Sequence, residues 1–318
     1  MNKITLKLNK IIEFTRLNLK KLNKQYLNNG NTKYLYNQQK LKNLIISLYL
    51  TTLVGKLFRR IKMKNYFDIK DKVAVITGAS SGLGWQIAQA YASQGAKLAL
   101  FARREERLQE NVAEIEKEYG TEVMYAVCDV GDYDSITEAV AKVMDAYGRI
   151  DILVNAAGMG NNKMVTDQSN EEWERHIHID LSGVYYMCKA VGEIMIKQEY
   201  GKIINIGSIH SRVIFPGGGI SAYSSAKGGV MNLTKNLAVE WAKYNITVNA
   251  IGPAVFETEL TVDSIELPGF MDLIAAYCPA GRLGKPGELD GIAIYLASDA
   301  SSFCTGQLIC IDGGWTAI

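Results

Sequence analysis

The stretch "KVAVITGASSGLGWQIAQA", residues 72–90, changes its pattern twice. It begins as an apolar run, turns through Gly78, Gly82 and Gly84, and continues as a segment with helical periodicity. A strand buried on both faces is a continuous apolar run, whereas apolar residues three and four apart are typical of a helix. The stretch therefore predicts a strand, a glycine turn and a helix, which are the first elements of a βαβ unit.

The glycines follow the spacing T-G-x-x-x-G-x-G, and each has a separate use. Gly78 permits the tight turn, Gly82 lets a diphosphate approach the backbone, and Gly84 lets the helix pack against the strand. Free N–H groups and the helix dipole favour a phosphate at this position. We expect the turn to bind the diphosphate of a dinucleotide through six residues: Gly78, Ser80, Ser81, Gly82, Leu83 and Gly84.

The same alternation continues to the end of the chain. Six more apolar runs follow: "KLALFA", "EVMYAVCDV", "IDILVNAAG", "GKIINIGS", "ITVNAIGP" and "QLICIDGG". Between the runs lie helical patterns over residues 85–94, 104–119, 135–147, 171–197, 223–244 and 288–298. Parallel strands joined by helical crossovers give an α/β fold. We expect residues 65–318 to form a single doubly wound Rossmann domain with a parallel sheet of about seven strands.

The end of the second run indicates which dinucleotide is bound. An NAD site usually has an acidic residue about 20 positions after the glycine turn, where it binds the ribose 2′-hydroxyl. Here Ala102 lies near that position, and Arg103 and Arg104 follow. An arginine can pair with the 2′-phosphate of NADP. The alternative is that both arginines are solvated residues that open a helix. We expect NADP, bound by Arg103, with NAD as the other possibility.

The basic residues are concentrated at the beginning of the chain. Residues 1–64 contain 15 lysines and arginines and one acidic residue, Glu13, whereas residues 65–318 contain 20 basic and 32 acidic residues. Three interpretations of this Asn/Lys-rich leader are open: a membrane-surface segment, a signal or anchor, or a disordered leader translated upstream of a true start at Met63. Its longest charge-free run, residues 43–55, is too short to span a bilayer. We favour the interpretation that Met63 is the true start and that the residues before it are translated from upstream DNA.

The cysteines and histidines argue against a metal site. The five cysteines are widely spaced and include no C-x-x-C pair, which favours a reducing compartment without a disulfide framework. His176 and His178 are two positions apart and would not share a helix face. We expect a cytoplasmic protein that binds a small molecule and neither metal, membrane nor nucleic acid.

A candidate acid/base pair lies in "ISAYSSAKGG", residues 220–229. Tyr223 and Lys227 are four positions apart and would lie on one face of a helix. A nearby ammonium favours the ionised form of a phenol, and small neighbouring side chains let a ligand approach. By itself the pair also fits an ordinary surface helix.

Taken together, "TGASSGLG", "NAAG" at 155–158, "NIGS" ending at Ser208, and "YSSAK" resemble the short-chain dehydrogenase/reductase family. The resemblance covers about residues 66–318, in family order. It implies that Tyr223 is the general acid/base, that Lys227 assists it and binds the nicotinamide ribose, and that Ser208 positions the substrate oxygen. It also implies a homotetramer, and cofactor contacts from five further residues: Asp129, Val130, Asn155, Gly158 and Val255. For Asn155 a purely structural role in supporting the central sheet is equally open.

The chain departs from the family pattern near these residues. Asp180 in "HIDLSG" stands where the family usually has an asparagine of its catalytic set, and it could organise a water relay to Lys227 or pair with it. Pro253 is followed by Ala254 instead of glycine. The segment "IHSRVIFPGGG" between Ser208 and Tyr223 is longer than is common, and we expect His210 and Arg212 to contact substrate there.

The substrate class is predicted from the last third of the chain. "EWAKYNITVNAIGP" and "QLICIDGGWTAI" look most like the gluconate 5-dehydrogenase branch of the family, which implies a sugar acid or polyol that is interconverted with its keto form. Reductases of 3-oxoacyl carriers and hydroxysteroid dehydrogenases share the same motifs, so both stay open as alternatives. An NADP-binding redox sensor without catalysis is the alternative outside the enzymes.

Overall fold

The protein is described from a computed structural model, which covers Ile46, 65–160, 163–259 and 261–318. The interpretations of the leader, residues 1–64, therefore concern a segment that, apart from Ile46, lies outside the described residues. The compact unit that can be described is Asn65–Ile318.

Seven strands form one sheet, and each neighbouring pair is parallel. They are β1 Val73–Thr77, β2 Lys97–Ala102, β3 Val123–Val127, β4 Ile152–Asn155, β5 Gly201–Ile206, β6 Ile246–Pro253 and β7 Leu308–Ile311. Their spatial order is β3-β2-β1-β4-β5-β6-β7. The predicted doubly wound Rossmann fold with seven strands is confirmed. The order reverses between β1 and β4, and ligands bind such sheets at this switch point.

Nine α-helices are described in this part of the chain. They are α1 Gly82–Ser93, α2 Glu105–Tyr119, α3 Tyr133–Tyr147, α4 Asn170–Ile177, α5 Gly183–Gln198, α6 Ser221–Trp241, α7 Val262–Ile265, α8 Phe270–Tyr277 and α9 Asp290–Ala297. Among the residues that the structure describes, none of the helices is both long and apolar enough to cross a bilayer.

Alternate residues of each central strand pack into two separate apolar layers. In β1, Ala74 and Ile76 contact the layer that contains α1 and α9, whereas Val73 and Val75 contact the layer that contains α3 and α5. Successive side chains of a strand point to opposite faces, so a strand covered on both faces must be apolar throughout. This burial explains the continuous apolar runs in the sequence.

The predicted helix over residues 171–197 is interrupted. Helix α4 starts at a capping box, in which Ser169 and Glu172 each bond to the other's backbone N–H. It ends at Ile177, and a π-helical turn, His178–Ser182, leads into α5. A π turn adds one residue to the helical repeat and occurs often at functional sites. The interruption places Asp180 inside the protein, with no exposed surface.

Candidate active site

A cleft of about 790 Å³ lies at the carboxyl ends of the strands. Close backbone approaches join the segments that line this cleft. A Cβ built on Gly78 would lie 2.7 Å from the nitrogen of Ala157, and one built on Gly158 would lie 3.6 Å from Nζ of Lys227. The cleft therefore runs from the glycine turn, across the segment after β4, to the helix that carries Lys227.

The glycine turn has the shape that a diphosphate needs. Gly78 has a φ of 67°, and a Cβ on Gly84 would lie 2.5 Å from the carbonyl oxygen of Gly78. Ser81 is the N-cap residue of α1, but its side chain does not bond to the N–H groups of the helix. These free N–H groups and the uncapped helix end suit an anion. The residues present therefore fit the diphosphate of a dinucleotide.

At the outer end of the cleft, Arg104 is hydrogen-bonded to two serines of the glycine turn. Its Nη2 donates to Oγ of Ser80 at 3.0 Å and to Oγ of Ser81 at 2.7 Å, and it pairs with Glu259 at 3.0 Å. A hydrogen bond from Ser81, followed by the one from Arg104, lowers the pKa of Glu259. Arg103 also borders the cleft and is exposed. The sequence predicts an arginine at this position. It does not predict the hydrogen bonds of Arg104 to Ser80 and Ser81 or its ion pair with Glu259, because Glu259 is distant in the chain.

Tyr223, Lys227 and Ser208 all line the inner end of the cleft. Tyr223 and Lys227 lie on α6, with the Lys227 Nζ 5.7 Å from the centre of the Tyr223 ring. The ammonium donates to the carbonyl oxygen of Ile206 at 2.9 Å. Oγ of Ser208 accepts a hydrogen bond from the N–H of His210 at 3.1 Å, which leaves the Ser208 proton free to donate. The three side chains have the chemistry of an acid/base site.

Asp180 also lines the cleft, but it does not form an ion pair with Lys227. Its Oδ1 accepts from the N–H of Met159 at 2.9 Å, and its Oδ2 lies 3.1 Å from Nδ1 of His176. Of the two alternatives for Asp180, the structure does not show the pairing with Lys227, and the water relay stays a prediction. Sequence reasoning considered His176 only as a metal ligand and missed this contact. The spacing of four between His176 and Asp180 was the available signal.

The two residues expected to contact substrate have different surroundings. His210 lines the cleft, its Nδ1–H donates to the carbonyl oxygen of Val213 at 3.1 Å, and its ring contacts those of Phe215 and Tyr223 edge to face. Burial lowers the pKa of His210, which favours a neutral ring with Nε2 as an acceptor. Arg212 does not line the cleft, because its guanidinium donates to the carbonyl oxygen of Leu308 at 3.0 Å. The structure does not place Arg212 to contact a substrate there.

Four of the five further cofactor candidates line the cleft, and one does not. Asp129, Val130, Gly158 and Val255 lie along it. Asn155 is buried below the cleft, where its Nδ2 donates to Asn205 at 2.9 Å and to Cys188 at 3.3 Å. Asn205 in turn donates to Thr234 on α6. The structure favours the structural alternative for Asn155, because its amide links β4 to β5.

Within 65–160, 163–259 and 261–318, no group of three or more His, Cys, Asp or Glu side chains could hold a metal ion.

The sequence is similar to a known family model and to several known proteins. Residues 78–316 match the family model described as enoyl-(acyl carrier protein) reductase. Gluconate 5-dehydrogenase of Gluconobacter oxydans (strain 621H) is 36% identical over 250 residues, which are 79% of this chain and 96% of that protein. The 3-oxoacyl-[acyl-carrier-protein] reductase of Thermotoga maritima is 39% identical over 246 residues, 77% of this chain and 98% of that protein.

A solved structure with bound cofactor is also similar. The gluconate 5-dehydrogenase of Burkholderia cenocepacia J2315, in complex with NADP and tartrate, superimposes with a TM-score of 0.76. It is 35% identical in sequence, and the match covers 80% of this chain and 98% of that one.

Proposed function

The chain belongs to the short-chain dehydrogenase/reductase family, and we propose that it is an NADP-dependent oxidoreductase that interconverts a secondary alcohol and a ketone. The proposed substrate is a sugar acid, in line with the name gluconate 5-dehydrogenase of two relatives, or a polyol, in line with the name D-threitol dehydrogenase of another. The observation that carries the proposal is the position of Tyr223 and Lys227 on one face of α6, beside Ser208 at the inner end of the cleft.

Each of these side chains has one task in the proposed reaction. Bound NADP supplies or accepts a hydride at the reacting carbon. In the reducing direction the phenol of Tyr223 gives its proton to the carbonyl oxygen, and in the oxidising direction it takes that proton back. The hydroxyl of Ser208 donates to the same oxygen, where a hydrogen bond is worth most as negative charge develops. Lys227 places a positive charge near the phenol, with its Nζ 5.7 Å from the centre of the ring.

His210 supports a hydroxylated substrate. Its Nδ1–H is bonded to Val213, so its Nε2 can accept a hydrogen bond from a substrate hydroxyl next to the reacting carbon. This group is close to the acid/base residues, because its ring contacts that of Tyr223. A 3-oxoacyl chain would offer no such donor. The similarity to a 3-oxoacyl carrier reductase nevertheless makes that substrate the main competing prediction.

The substrate is tested with the full-length protein and a panel of alcohols and ketones. Absorbance of the reduced cofactor is followed with NADP and with NAD against gluconate, several polyols, hydroxysteroids and a 3-oxoacyl thioester. We expect turnover of gluconate or a polyol with NADP. Turnover of the thioester or a steroid alone would contradict the substrate class while leaving the reaction type in place. Cofactor binding without any turnover would favour the redox-sensor alternative.

The choice of cofactor is tested at the two arginines. We expect Arg103→Ala and Arg104→Ala each to weaken NADPH binding by about one to two orders of magnitude, because a charge-assisted contact to the 2′-phosphate is lost. NADH binding, which has no such phosphate, should change little. Fluorescence titration of both cofactors measures the two affinities. Lys117→Ala is the matched control, because Lys117 is an exposed basic residue near the end of α2 and does not line the cleft. Equal weakening of both cofactors would contradict a role in phosphate recognition.

A homotetramer, a cytoplasmic location and the absence of nucleic-acid and membrane partners stay predictions. So does the division of the chain into a leader, 1–64, and an enzyme domain, 65–318. Mass spectrometry of the protein from its native host tests the proposed start at Met63, and a mature chain that retains residues 1–62 would contradict it.

A further inference from the structure

A histidine and an aspartate form a buried pair directly behind the proposed acid/base residues. His176 exposes 1% of its surface and Asp180 none. Nδ1 of His176 lies 3.1 Å from Oδ2 of Asp180, and because a carboxylate can only accept, this nitrogen carries the proton. The other oxygen, Oδ1, accepts from the N–H of Met159 at 2.9 Å. Both oxygens of the carboxylate therefore have a donor.

The pair lies close to Lys227 without bonding to it. A Cβ built on Gly158 would be 2.7 Å from Oδ1 of Asp180 and 3.6 Å from Nζ of Lys227, so the two charged groups flank the same backbone position. Tyr223 is on the same helix as Lys227, and Arg175 borders the cleft from α4. Glu172, four positions before His176 on α4, also interacts electrostatically with His176, and it forms an ion pair with Lys163. The first turn of α5, residues 183–186, and the segment 156–160 contain no Asp, Glu, Lys, Arg or His side chain.

The protonation state of His176 determines the net charge of the His176–Asp180 pair. A carboxylate without a countercharge is costly to bury, whereas a hydrogen-bonded ion pair compensates much of that cost. If His176 carries two protons, the pair is neutral and Lys227 acts on Tyr223 with its full charge. If His176 is neutral, the negative charge of Asp180 offsets part of the charge of Lys227.

We propose that His176 is a positioning residue for the reaction proposed above: as an imidazolium it orients the carboxylate of Asp180 and neutralises it, so that Lys227 remains the uncompensated charge beside Tyr223. The inference rests on the proposed function for its kinetic consequence. The ion pair itself stands on the distances and the burial of the two side chains.

The kinetic test compares two replacements of His176. Asn in the His176→Asn variant can place an amide donor near the position of Nδ1 and keeps the hydrogen bond without the charge, whereas His176→Leu removes both. We expect both variants to move the midpoint of the pH–rate profile for alcohol oxidation upward by about one pH unit, because an unbalanced negative charge opposes ionisation of the phenol. His178→Asn is the matched control, since His178 is an exposed histidine of the adjoining turn.

A double variant separates charge from structure. In the His176→Leu background, Asp180→Asn removes the unbalanced charge, and we expect the midpoint to return to that of the unaltered enzyme. A purely structural role for His176 would not be rescued in this way. A His176→Asn variant with an unchanged midpoint, or a double variant with the midpoint of His176→Leu, would overturn the proposal.

A spectroscopic test does not depend on activity. The chain has three histidines, so the imidazole nitrogen signals in a ¹⁵N NMR spectrum can be assigned by comparison with His176→Asn. We expect the His176 ring of the full-length protein to be doubly protonated near neutral pH and to lose one proton in Asp180→Asn. A neutral ring in the unaltered protein would overturn the ion pair whether or not any substrate is turned over. A doubly protonated ring without turnover would instead contradict the proposed function alone.

Discussion

Replacing Tyr223 by phenylalanine is expected to lower turnover by about two to four orders of magnitude, which is the usual contribution of a positioned acid or base. The change removes one hydroxyl and keeps the ring, so the contact with His210 is retained. Lys227 keeps its hydrogen bond to the carbonyl oxygen of Ile206, which does not involve the phenol. The fold and the cofactor affinity should therefore change little.

The measurement is kcat with the best substrate of the panel, together with NADPH titration and thermal unfolding of the same samples. Tyr185→Phe is the matched control, because Tyr185 is 46% exposed on α5 and lies outside the cleft. We expect this control to keep its activity. Turnover of Tyr223→Phe within tenfold of the unaltered enzyme would contradict the role of the phenol as the proton donor.

Replacing Gly78 by alanine is expected to lower the free energy of unfolding by about 3 kcal/mol, because two separate costs combine. The residue has a φ of 67°, which a side chain strains, and its new Cβ would lie 2.7 Å from the nitrogen of Ala157 and 2.8 Å from the carbonyl oxygen of Ala156. These are backbone atoms of the segment after β4 and cannot turn away as a side chain could. The turn must shift, and the diphosphate site shifts with it.

Urea unfolding of the full-length protein measures this loss, and NADPH titration measures the effect on the site. Gly291→Ala provides the control within a helix, because Gly291 is exposed in α9 and a Cβ there meets nothing within 4 Å. Since alanine restricts the unfolded chain, the control should gain about 0.5 kcal/mol. If Gly78→Ala were as stable as the unaltered protein, the close approach of the turn to residues 156 and 157 would be contradicted.

The sequence predicted the sheet and the positions of the main side chains because both depend on local patterns. Buried parallel strands need apolar residues on both faces, and the glycine turn needs small residues at fixed spacing, so residues 72–90 were sufficient for the first unit. Tyr223 and Lys227 were paired by helical spacing alone. The family resemblance then added Ser208, Asp129 and Val255, all of which line the cleft.

The features that the sequence did not predict depend on contacts between distant segments. The sequence of the loop after Ser208 does not show that the guanidinium of Arg212 bonds to the carbonyl oxygen of Leu308, 96 positions away. Arg104 is held by serines of the glycine turn and by Glu259, a residue 155 positions further along the chain. The burial of Asn155 follows from the direction in which its side chain leaves β4. These contacts can be identified only once the order of the strands in the sheet is known.

The π turn at His178–Ser182 also limits how this chain can vary in length. The residues of α4 and α5 are out of helical phase with each other, because each residue advances an α-helix by about 100°. Deleting one residue of the turn would restore regular pitch, but it would rotate Asp180 away from the cleft or turn the buried face of α5, with Met187 and Cys188, away from the sheet. A gap in this segment is therefore incompatible with the active site even though both flanking helices could tolerate many substitutions on their outer faces.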